Sequence, residues 1–277
     1  MGRKRAPHTG ITLESLIFNV YFRQEWLTPS FSVGGGARYL PTFGAPGFCV
    51  EGRAYRGDSG QPRLARHRWA EGPARKSPEA MRWAGRAAEE CASVPAFRQL
   101  AHELLELDAP LQLVARALRA AEEELGHTRD AASLAELFGG AKLELTPPPF
   151  RARPRLPRPL ALRRLVAETW LDGCLNEGLA AALAGAEAQE TRVNEEACVS
   201  RRLAQDEAGH AALAFDVLRW VMSEAPSLVR NLCVPSPAGR IDSDVSLLNH
   251  ATAMDLARDN ALAAQRRLAE LSVAAPS

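Results

Sequence analysis

A chain of 277 residues, 46% of them apolar, can bury a core without relying on metal or disulfide staples. Its 34 basic and 33 acidic residues leave a formal net charge of +1, too weak a field to single out nucleic acid or a membrane surface as partner. Five scattered cysteines (Cys49, Cys91, Cys174, Cys198, Cys233) form no C-x-x-C pair, which argues against a zinc ribbon and suits a reducing compartment.

Residues 1–76 open with Arg3, Lys4 and Arg5, followed by the short apolar run Leu16, Ile17 and Phe18. Glu14 and Asn19 interrupt that run and no convincing cleavage site follows, so the segment is a poor secretory signal and the chain is expected in the cytoplasm. Nowhere does an uninterrupted apolar run of about 18 residues suggest a membrane span. Gly34, Gly35 and Gly36, the prolines at 41, 46, 62 and 73, and all three tyrosines fall in this part. It reads as an irregular N-terminal module lying on a helical body, with at most small strands such as Phe48–Glu51.

Helical patterning takes over at Ser77, a plausible N-cap with Pro78 at the first helical position. A first helix is predicted from there to about 108, with Pro95 as a place to bend. Pro110 starts a second, which stops at Gly139 and Gly140. The stretch 146–159 holds six prolines and is expected to be extended. A third helix is predicted over 160–189, a fourth over 194–223, and a last over about 245–272 beyond Pro226, Pro235 and Pro237. Tight turns join the first helix to the second and the third to the fourth. The roughly 20 extended residues between the hairpins, at about 3 Å each, can return the chain along the length of a bundle. The expected fold is therefore all-α: a four-helix bundle over 77–224 with one long crossover between its second and third helices, then a linker and C-terminal helix over 225–277.

Two motifs carry the chemistry. Glu124-Leu-Gly-His127 lies on the second helix and Glu207-Ala-Gly-His210 on the fourth. A three-residue spacing puts Glu and His on one face, a turn apart, where they can share a metal. The flanks match as well, Glu123 before Glu124 and Asp206 before Glu207. A di-metal carboxylate centre needs one further Glu from each remaining helix. On the third, Glu177 interrupts the apolar stripe of Val166, Trp170, Cys174, Ala181 and Ala184, where a lone carboxylate is costly unless paired or metal-bound. Glu168, Asp172 and Asn176 are assigned to a wetter face. On the first, Glu90 shares its stripe with Trp83, Ala87, Val94, Phe97 and Ala101, whereas Glu89 sits with Arg82 and Arg86.

With two hairpins, Glu90-Cys-Ala-Ser and Asp206-Glu207-x-x-His210, the segment 78–223 resembles the ferritin-like superfamily, in wording closest to bacterial ferritin-like domain proteins. The resemblance implies a pair of iron ions, or manganese or a mixed pair. One half-site would be Glu90, Glu124 and His127, and the other Glu177, Glu207 and His210. It also implies that Asp206 orients His127 and Glu123 orients His210.

No tyrosine lies on the four predicted helices, which argues against a radical-storing role. Cys174 is a candidate for the cavity beside the metals, with a buried apolar filler as its plainer role. Gly126 and Gly209 precede the two histidines and are expected where another element, the N-terminal module or a second subunit of a homodimer, packs closely. The arginines at 151, 153, 155, 158, 163 and 164 are expected to solubilise the crossover. The leading expectation is an O2-dependent di-iron oxidase or oxygenase acting on a small organic substrate, with an electron donor as further partner. Iron handling (ferroxidase, storage, peroxide removal) is one alternative, and a metal-free bundle serving partner binding is the other.

Overall fold

The computed structural model describes residues 53–57, 62–70, 77–232 and 247–274. The chain divides into two compact units, Met1–Pro41 and Thr42–Ser277, and every described residue belongs to the second. The strand expected around Phe48–Glu51 lies outside the described residues.

Helix α1 (Pro78–Glu106) begins where the Ser77 hydroxyl accepts from the Ala80 amide at 3.1 Å, with Pro78 already holding a helical φ. It runs through Pro95 unbroken. A tight turn, with Asp108 in the left-handed region at φ 55°, leads to α2 (Leu111–Gly139). Gly140, at φ 67°, closes α2 by donating its amide to Glu136 O.

The crossover that follows is not wholly extended. Its β2 (Leu143–Thr146) pairs antiparallel with β1 (Arg66–Trp69), Arg66 facing Thr146 and Trp69 facing Leu143. Trp69 packs closely on α2 because Gly139 has no Cβ; one there would stand 2.8 Å from the indole. The predicted third helix is three pieces: α3 (Arg158–Glu168), a π-helical stretch (Thr169–Glu177) and α4 (Gly178–Glu190). Widened i→i+5 turns of this kind recur at functional sites. Then come α5 (Asn194–Glu224), the short α6 (Pro226–Arg230) and α7 (His250–Ala274).

Helix α1 packs along α2, the π stretch and α4 pack along α5, and α2 faces α5. The described body is thus mainly helical, as expected, with one two-stranded sheet. None of its helices is long and apolar enough to cross a membrane. Two apolar layers form between the hairpins. One holds Phe97, Leu104, Trp170, Cys174, Leu213 and Leu218, the other Trp83, Ala87, Leu134, Ala184 and Leu203. Helix α7 lies on α4, α5 and the π stretch, where Asn260 donates to Leu175 O at 2.9 Å.

Two expectations fail because a strap at residues 53–57 and the crossover both lay arginines inward over the helices. Asp172 is not on a wet face; it is 1% exposed and receives Arg56 Nε and Nη2 at 2.8 and 2.6 Å. Glu168 is likewise buried and receives Arg153 at 2.8 Å. The crossover arginines are therefore not all solvated: Arg153 bridges inward to Glu168 and to Arg56 O, and Arg164 pairs with Glu103 at 3.0 Å. Tyr55 completes the strap, its hydroxyl accepting from the Arg151 amide at 2.8 Å.

Candidate metal centre

Between the two apolar layers the four long helical segments bring six polar side chains together. Helix α1 supplies Glu90, α2 supplies Glu124 and His127, the end of the π stretch supplies Glu177, and α5 supplies Glu207 and His210. Each is 6% exposed or less. Their donor atoms fall into two overlapping groups: Glu90, Glu124, His127 and Glu207 in one, and Glu124, Glu177, Glu207 and His210 in the other. Within each group the atoms lie within 4.8 Å of one another. Glu124 and Glu207 belong to both. The carboxylates of α2 and α5 thus stand between the groups, whereas the half-sites implied by resemblance gave each of them to one side only.

The two imidazoles are arranged alike. His127 turns Nδ1 inward, 3.4 Å from Glu207, 3.6 Å from Glu124 and 3.8 Å from Glu90. Its Nε2 points outward to Asp206 at 3.0 Å. His210 turns Nδ1 to Glu124 and Glu207, each at 3.3 Å, and Nε2 to Glu123 at 2.9 Å. A carboxylate on Nε2 keeps a hydrogen there and aims Nδ1 at the cluster, the atom a bound cation would take.

Hydrogen bonds among these groups do not compensate their burial. Both oxygens of Glu124, both of Glu177 and Nδ1 of His127 are buried without a hydrogen bond, a costly state for polar atoms that lack a cation. The protein's own electrostatics shows the strain. Burial, then the charge of Glu124, pushes the Glu90 carboxyl well up, and burial, then Glu207, does the same to Glu177. Burial opposes charge on His127 and His210 too, but the carboxylates around each ring outweigh it and raise both. A bound cation replaces those imidazole protons. Four carboxylates and two neutral imidazoles carry a formal charge of −4, which two divalent ions balance. These buried carboxylate and imidazole groups therefore fit a metal ion.

The space around the cluster is small. A cavity of about 10 Å³, roughly one water's room, lies between Arg86, Glu90, Ala180, Ala184, Leu203 and Glu207. The larger cavity, about 160 Å³, is lined by Glu103, Asp108, Arg155, Arg158 and Arg164 and touches none of the six residues. Cys174 is 1% exposed within the apolar layer and lines neither cavity. At Gly126 and Gly209 an added Cβ would meet nothing within 4 Å, so the close packing expected there is not supplied by the described residues.

Two arginines stand nearer the centre than the sequence implies: Arg86, which its spacing sets on the face of Glu89, and Arg53, for which the sequence implies no role. Arg86, one turn before Glu90, is 2% exposed, pairs with Glu187 at 3.0 Å and borders the small cavity. Arg53 is 5% exposed and stands from the strap against Phe97, on the other side of the cluster from that cavity. The signal for Arg86 was its helical spacing from Glu90; for Arg53 the sequence held none. Comparison of the chain with protein-family models, curated proteins and solved structures gave no match.

Proposed function

We propose that this chain is a ferritin-like di-iron oxidoreductase that uses dioxygen to oxidise a small organic substrate. The observation that carries the reading is the sharing of Glu124 and Glu207 between two four-residue groups, together with the buried ligand atoms left without hydrogen bonds. Glu90, Glu124, His127 and Glu207 would hold one ion, and Glu124, Glu177, Glu207 and His210 the other. When bound, a reduced iron pair supplies the electrons for dioxygen reduction.

The chain's residues do the rest. Asp206 and Glu123 hold the two imidazoles in one tautomer, so that Nδ1 is offered to the metal without rearrangement. The apolar layers on either side keep bulk water out and strengthen the field of the four carboxylates. The cavity beside Glu90 and Glu207 gives one water a place next to the cluster. Because that cavity is so small, a second reading also has support: iron oxidation or peroxide removal, which needs no organic substrate.

The test is dioxygen consumption by iron-loaded protein in single turnover, with and without candidate organic substrates. Uptake that is accelerated by a substrate and yields an oxidised product supports the proposal. Uptake tied only to added Fe(II), with nothing organic oxidised, assigns the protein to iron handling instead.

A further inference from the structure

The strap carries two buried arginines, and among the described residues only one has a carboxylate partner. Arg56 forks onto Asp172. Arg53, three residues earlier, is held by its carbonyl, which accepts from Ser93 Oγ at 3.1 Å. No carboxylate of the described residues pairs with the Arg53 guanidinium, and its buried Nε makes no hydrogen bond. Every other buried arginine near the centre has a carboxylate: Arg82 has Glu196, Arg86 has Glu187 and Arg153 has Glu168. A guanidinium cannot shed its proton to escape the cost of burial.

Its position is informative. The guanidinium carbon stands 5.5 Å from the centre of the Phe97 ring, and that ring is 4.8 Å from the His210 ring. One aromatic ring therefore separates Arg53 from a ligand residue. On its other side Gly173 lets the π stretch approach both Ala214 and this guanidinium: a Cβ there would stand 2.5 Å from Ala214 Cβ and 3.0 Å from Arg53 Nη2. Cys174, one turn before Glu177, feels the charge of Arg53. Phe97, Cys174 and Ala214 make the surroundings apolar.

We propose that Arg53 binds the carboxylate of a small organic acid, the substrate of the neighbouring metal centre. A planar fork facing a planar carboxylate gives two parallel charge-assisted hydrogen bonds and fixes the orientation of the bound molecule. The substrate role rests on the function proposed above; the anion site itself does not.

The probes are acetate, hexanoate and benzoate, each set beside its own amide. Binding to the full-length chain is measured by calorimetry, as isolated and after chelation of metal. At least one acid should bind about tenfold or more tightly than its amide, a preference that survives metal removal. Arg53→Gln should abolish the preference and Arg53→Lys retain part of it, with helical content checked by circular dichroism. If Arg53→Gln does not fold, the acid–amide comparison on the unaltered chain and the Lys variant still decide. Equal binding of acids and amides, no binding of any probe, a preference lost with the metal, or one unchanged in Arg53→Gln overturns the proposal. Metal content is measured in parallel. A chain that takes up no iron when Fe(II) is supplied, yet still prefers acids through Arg53, would refute the di-iron function and leave the anion site standing.

Discussion

Asp206 Oδ2 stands 3.0 Å from His127 Nε2, on the side of the ring away from the carboxylate cluster. Glu123 Oε2 stands to His210 Nε2 in the same way at 2.9 Å. Each carboxylate is the residue just before a cluster glutamate on the opposing helix, so the two helices that supply the histidines orient each other's rings.

Removing either outer carboxylate should therefore weaken metal binding without removing a ligand. Asp206→Ala and Glu123→Ala are each expected to lower metal affinity about 10- to 100-fold. Asp206→Asn, which can still accept through its amide oxygen, should fall between. Competition with a chromophoric chelator measures all three.

Glu177 sets binding against stability. Its two oxygens are buried without hydrogen bonds, and burial followed by Glu207 raises its carboxyl. Glu177→Gln should leave the metal-free chain more stable, by about 1 kcal/mol or more, since it removes a buried acid that nothing satisfies. The same variant should gain less from added metal than the unaltered chain does. Urea unfolding with and without metal checks both halves.

The strap depends on the buried pair of Arg56 and Asp172. Arg56→Met would strand a buried carboxylate and is expected to cost about 3–5 kcal/mol, much of it recovered in Arg56→Met/Asp172→Asn. Equilibrium denaturation of the two variants measures the recovery.

The helices were legible because their signals are local. Ser77 with Pro78, Gly140, and the spacing of apolar residues mark their ends and faces. The meeting of Glu90, Glu124, His127, Glu177, Glu207 and His210 was legible for the same reason: a Glu–His pair one turn apart, or a lone acid in an apolar stripe, shows within a few residues of sequence. The strap was not. Arg56 meets Asp172 across 116 residues and Arg53 meets Ser93 across 40, and neither arginine sits in any periodic pattern. Without Arg56 from the strap and Arg153 from the crossover, Asp172 and Glu168 read as solvent-facing. The π stretch was hidden too, because Thr169–Glu177 satisfies a 3.6-residue stripe well enough to pass for ordinary helix.

Glu196 should govern part of the acid limb of stability. Burial pushes its carboxyl up, but hydrogen bonds from Thr191, Trp83 and Arg82 outweigh that and hold it below the ordinary glutamate value. A carboxyl depressed in the folded state binds fewer protons there than in the unfolded chain. Its contribution is therefore complete above the ordinary glutamate value of 4.5 and is lost as pH falls from there through the folded value. Glu196→Gln is expected to lower stability at neutral pH and to flatten its fall in acid, as read from melting temperature against pH.

The most direct test of the central claim is anaerobic titration of metal-free, full-length protein with Fe(II), counting iron retained after gel filtration, beside a folded Glu177→Ala/His210→Ala variant. The account predicts two irons per chain, oxidised together on admission of air, with the pair lost in the variant. Failure to retain iron in stoichiometric amount, or equal retention by the variant, would contradict it.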